Sequence, residues 1–105
     1  MPRISSRGRE VAEYIRDRKA FTTSGALKAT VHGERGAHEG SGHLNAEEQK
    51  RFYAESSSIR YIVWSYATPI AWWSEEHGWH IVDQRFSVTT SKHQGLLYLI
   101  DRSAA

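Results

Sequence analysis

The chain has 105 residues, a net charge of +2, 39% hydrophobic residues and no cysteine. That length suits one domain, 1–105, and leaves no room for two of ordinary size. Without cysteine there are no disulfides and no thiolate metal sites, and no apolar run reaches the length of a membrane span. The first ten residues hold no apolar export segment, so the expected setting is the cytoplasm, away from any membrane.

The charge is uneven. Residues 1–35 hold eight Lys or Arg against four Asp or Glu; residues 36–105 hold six against eight. A basic head on a slightly acidic body can steer a polyanion or an acidic protein face. The plainer reading is a solvated helix, and it carries the larger weight.

In chain order, Ser6 is read as the cap of a helix running to about Lys19. Val11, Tyr14 and Ile15 share one narrow apolar face, as expected of a surface helix. Arg7, Arg9, Arg16, Arg18 and Lys19 are its candidate nucleic-acid contacts. Residues 21–31 read as a short strand or irregular hairpin, broken at Gly25, with Phe21, Leu27 and Ala29 inward. Residues 32–43 are rich in glycine and histidine and read as a flexible loop. His32, His38 and His43 raise a zinc hypothesis, but their spacing fits no closed zinc site, so no metal is expected. The loop glycines match no phosphate-loop pattern either.

Asn45 and Glu48 have capping-box spacing and predict a helix anchored by Phe52 and Tyr53 and ended by Ser56, Ser57 and Ser58. From Ile59 to Tyr66 the pattern alternates. Ile59, Tyr61, Val63 and Ser65 share one face; Arg60, Ile62, Trp64 and Tyr66 share the other. Both faces are largely apolar, which predicts a central strand covered on both sides. Residues 67–69 predict a bend or bulge at Pro69, and strand resumes over 70–73. A turn at 74–78, with Gly78 at positive φ, sends residues 79–82 back antiparallel. A short strand at 86–88 and a last helix capped by Thr90, packed through Leu96, Leu97, Leu99 and Ile100, complete the reading. The expected class is α+β: a small antiparallel sheet of three to four strands packed with two to three helices.

Two strings carry a resemblance: SYATPIA at 65–71 and FSVTTSKHQ at 86–94, joined by Gly78-Trp79. They resemble a family of small, uncharacterised bacteriophage and prophage proteins sharing SYxTPIA and SxTTSKHQ motifs. The resemblance covers about the last half of the chain. It implies a phage origin and no particular chemistry.

The same strings supply the candidate binding residues: Tyr66, Thr68, Thr90, Ser91, Lys92 and His93, with Trp72 and Trp73 as stacking or anchoring groups. The structural alternative is that the hydroxyls cap a helix and stiffen the bend, and the tryptophans fill a core. A hydrolase would draw on Ser87 or Ser91 with His93, oriented by Asp83, but no nucleophile elbow is present. Asp83, Glu75 and Glu76 are a thin set for a metal nuclease. The expected function is therefore non-enzymatic: a phage accessory protein in the host cytoplasm that binds a host or phage protein and needs no cofactor. Weak nucleic-acid binding through the basic helix and a small Ser/His hydrolase are the alternatives. An open sheet edge would also allow a homodimer.

Overall fold

Five antiparallel strands form a meander in which each strand pairs with its neighbour in sequence, in the order β1-β2-β3-β4-β5. They are β1 (Phe21–Thr22), β2 (Leu27–Val31), β3 (Ile59–Ser65), β4 (Thr68–Ser74) and β5 (Gly78–Ile81). Helix α1 (Arg9–Arg16) precedes the sheet, and α2 (Ala46–Glu55) lies between β2 and β3. The computed structural model describes residues 2–4, 9–23, 25–34, 36 and 40–82. The expectations for Ser6, Arg7, His38 and everything beyond Val82 lie outside those residues.

The sheet is apolar on both faces, and each face has its own core. Val11 and Ile15 of α1 pack with Phe21, Leu27, Ala29, Tyr61, Val63, Ile70 and Ala71 on one face. Leu44 and Phe52, before and within α2, pack with Ile59, Ile62, Trp64, Trp72 and Val82 on the other. This is the α+β class expected, with a helix on each side of an antiparallel sheet. The sheet has five strands rather than three to four, because 21–31 forms a complete hairpin. Phe21, Leu27 and Ala29 are fully buried as the alternation requires.

Two bulges correct the simple alternation. Ile59 pairs Ser74 and Tyr61 pairs Trp73, leaving Arg60 as the extra residue. Ile59 therefore joins the α2 face while Tyr61 and Val63 stay on the α1 face. In β4, Val63 pairs Ala71 and Trp64 pairs Pro69, so Ile70 is extra and shares the α1 face with Ala71. Pro69, which has no N–H to donate, sits beside this irregularity. The break after Ser65 is sharper than a bend. Tyr66 and Ala67 form a tight turn, and β4 runs back along β3 from Thr68. The last turn is as expected: Gly78 has φ +73°, and Ser74 Oγ accepts from the His77 N–H at 3.1 Å.

Helix α1 ends earlier than predicted. Lys19 N–H donates to the Tyr14 carbonyl (2.8 Å) and Arg18 N–H to that of Ile15 (3.0 Å), with Arg18 at φ +53°. This is a Schellman ending with arginine where glycine is usual. For α2, Asn45 caps as predicted and accepts from Glu48 N–H at 2.9 Å. Tyr53 is not a core anchor: it is exposed, and its hydroxyl donates to Ser41 Oγ at 3.2 Å. Phe52 alone carries that face inward and meets Trp72 edge-on at 5.1 Å.

Candidate binding surface

The site is built around the β3–β4 hairpin tip. Tyr66 has φ +57°, its N–H donates to the Ala26 carbonyl at 3.0 Å, and 61% of its surface is exposed. A non-glycine residue in the left-handed region is strained by about 1–2 kcal/mol. The next residue, Ala67, meets the loop before α2. An added Cβ on Gly42, at φ +56°, would lie 2.5 Å from the Ala67 carbonyl oxygen and from Thr68 Oγ1. Thr68 Oγ1 also accepts from His43 N–H at 3.0 Å. The glycine that composition assigns to a loop is thus required for close approach to the tip.

Beside the tip lies a groove of about 430 Å³, lined by Lys28, Thr30, Gly40, Gly42, Trp64 and Ala67. Lys28 and Trp64 are register partners, and the ammonium stands 5.7 Å from the indole centroid. Trp64 Nε1 donates to Thr30 Oγ1 at 2.9 Å, and the same hydroxyl is hydrogen-bonded to His32 Nε2 at 2.8 Å. Leu27 and Ala29 turn to the α1 face, so β2 offers Lys28 and Thr30 to the other. The α2-side core runs through β3 and β4 and leaves those two as a wall.

The candidate residues named from sequence fare unequally. Tyr66 is at the surface. Thr68 is buried and holds the loop. Trp72 has no exposed surface, so it is a core residue and touches no partner; its Nε1 donates to Glu55 Oε1 at 3.3 Å. Trp73 is half-buried under the Arg18 guanidinium, 4.1 Å from its ring centroid. Thr90, Ser91, Lys92 and His93 lie outside the described residues, as do Ser87 and Asp83.

The basic helix is less free than its composition suggests. Arg16 pairs with Asp17 at 3.3 Å and Arg18 is stacked on Trp73. Lys19 shares a small recess with Glu13, Tyr14 and Asp17. Arg9 opens α1.

Sequence reasoning missed three features. Glu55 is a buried carboxylate that accepts from Trp72 Nε1, Ser74 Oγ (3.2 Å) and Arg51 Nε (2.8 Å). The Glu48 carboxylate bonds His80 Nε2 at 2.7 Å, tying α2 to β5. Lys28, the groove cation, was passed over because a lone lysine in a threonine-rich strand carries no motif. Among the described residues, no group of three or more His, Asp or Glu is placed to hold a metal ion. None of the described helices is long and apolar enough to cross a membrane.

A family model described as a family of unknown function, DUF8033, matches residues 9–100. The chain belongs to that family. It matches no curated protein and no solved structure. The matched span takes in both helices, all five strands and both motif strings, so the sheet and its hairpin tip are features of the family region.

Proposed function

We propose that this is a non-enzymatic bacteriophage accessory protein that acts in the host cytoplasm by binding another protein through the β3–β4 hairpin tip. The phage assignment rests on the SYATPIA and SVTTSKHQ strings. The observation that carries the binding reading is Tyr66: a large aromatic side chain, mostly exposed, on a backbone that strains any residue but glycine. Tyrosines presented in this way are common anchors of protein interfaces. Three other candidates among the described residues are occupied. Thr68 holds the loop, Trp72 holds Glu55, and Trp73 carries Arg18.

Nucleic-acid binding through α1 is the weaker reading. Arg16 is paired with Asp17 and Arg18 is stacked on Trp73, which weakens the field those two cations offer to phosphates.

The test places a photo-cross-linking amino acid at position 66 in the full chain, expressed in the bacterial host. A discrete adduct with one protein is expected, and it is absent when the cross-linker replaces exposed Glu47 instead. Adducts that are the same from both positions would refute the hairpin tip as the contact.

A further inference from the structure

We propose that the groove beside the hairpin tip binds an acidic side chain with an apolar one beside it in the partner protein, with Lys28 taking the carboxylate. This rests on the binding reading above and specifies its partner. The first support is charge. Every ion-pair contact among the described residues uses Arg16, Arg51, Arg60, His77 or His80 as its basic partner. Lys28 has none. Its ammonium leans over the Trp64 ring at the groove wall, exposed and without a carboxylate. A lysine held beside an apolar recess offers a point charge to one anionic group.

The second support is the inventory of polar groups. The Thr30 hydroxyl is already engaged by Trp64 and His32. Among the described lining residues, Lys28 is the side-chain polar group left for a ligand, and the others are small or apolar. The groove volume of about 430 Å³ lies within the range of sites that hold a small ligand or one or two side chains.

A nucleic acid fits less well. Binding single strands relies on several cations along a backbone and on open aromatic faces for stacking. The described lining holds one cation, and Trp64 is only 5% exposed, with Lys28 over its ring. One carboxylate beside one apolar side chain matches one ammonium beside one recess.

The experiment uses the full chain, ¹⁵N-labelled, titrated with an N-acetylated, C-amidated aspartyl-leucine dipeptide and with its asparaginyl-leucine counterpart. The aspartyl peptide should move the Trp64 indole N–H and the Gly42 amide resonances. The asparaginyl peptide should bind about tenfold more weakly, the ratio for losing one charge-assisted hydrogen bond. Lys28→Met keeps the length and apolar stem of an exposed side chain, so the fold and its spectrum should persist while the preference disappears. Equal binding of the two peptides, a preference that survives Lys28→Met, or no movement of these resonances would each overturn the proposal. So would a short oligothymidylate that moves them at lower concentration than the peptide does. If the groove fails while the adduct at position 66 remains, the partner binds the tip without it. If the adduct also fails, the binding reading falls as well.

Discussion

The carboxylate of Glu55 accepts a hydrogen bond from the indole N–H of Trp72 at 3.3 Å, inside the core beneath α2. Ser74 Oγ donates to the same oxygen, and Arg51 holds the other one from the solvent side. The last residue of α2 is thereby fastened to the C-terminal half of β4.

Removing that carboxylate leaves the Trp72 indole N–H and the Ser74 O–H without their acceptor in the core. Glu55→Ala should cost about 3 kcal/mol, since each stranded polar group costs roughly 1–3 kcal/mol. Glu55→Gln keeps an acceptor and should cost only about 1 kcal/mol, because the Arg51 partner is half exposed. Urea unfolding of both variants decides this. An alanine variant within about 0.5 kcal/mol of the parent would show that the network contributes nothing.

Two glycines at positive φ should respond to alanine to very different degrees. At Gly36 (φ +75°) a Cβ would lie 1.9 Å from the Ser56 carbonyl oxygen, which is backbone and cannot yield. Gly36→Ala should lower stability by more than about 3 kcal/mol, or prevent folding. At Gly78 (φ +73°) a Cβ meets open space, so only the left-handed strain of about 1–2 kcal/mol applies. Thermal melts of the two variants should therefore rank far apart. Similar melting temperatures would contradict the close packing of residue 36 on the Ser56–Ser58 turn.

Arg18 holds a glycine position and also covers Trp73. Replacing it with glycine relieves about 1 kcal/mol of strain and loses about 0.5–1 kcal/mol of cation–π contact. Arg18→Gly should be close to neutral. Arg18→Ala keeps the strain and loses the contact, and should cost about 1 kcal/mol. Denaturant midpoints compared with the parent test the difference, and an alanine variant as stable as the glycine variant would refute it.

Tyr61 supplies a pH dependence. Its hydroxyl donates to the Lys19 carbonyl at 2.8 Å, and burial pushes its pKa well above the ordinary tyrosine value. The folded state therefore holds this proton more tightly than the unfolded chain does. The contribution is complete below the unfolded value of about 10 and is lost as pH rises beyond it, at up to about 1.4 kcal/mol per pH unit. Tyr61→Phe should lose about 1 kcal/mol at neutral pH from the missing hydrogen bond. It should also flatten the alkaline fall. Urea titrations near neutrality and above pH ~10 check both effects; a parallel alkaline fall in the variant would assign it to other groups.

The parts of the fold legible in the sequence were those set by local rules. Asn45 announced its helix because capping is a short-range hydrogen bond. The turn at Gly78 was legible because positive φ selects glycine. The exposed tip was harder to see, because Tyr66 and Arg18 both take the left-handed conformation without the residue that usually marks it. The switch of Ile59 to the α2 face had no signal either, since a bulge at Arg60 depends on what β4 offers opposite. The groove cation could not be found from spacing, because Lys28, Trp64 and Gly42 meet only through the tertiary fold.

The meander has one long detour, the excursion from Val31 to Ile59 that carries α2. All other strand pairs close over short turns. Closing a loop costs entropy that grows with its length, and contacts distant in sequence form late. The β3–β4–β5 ribbon and the β1–β2 hairpin can therefore each form locally, while the β2–β3 pairing waits for the detour to close. The Lys28 wall belongs to the hairpin, and Trp64 and the tip belong to the ribbon. The groove thus exists only once the last pairing is made, which makes ligand binding there a readout of complete folding.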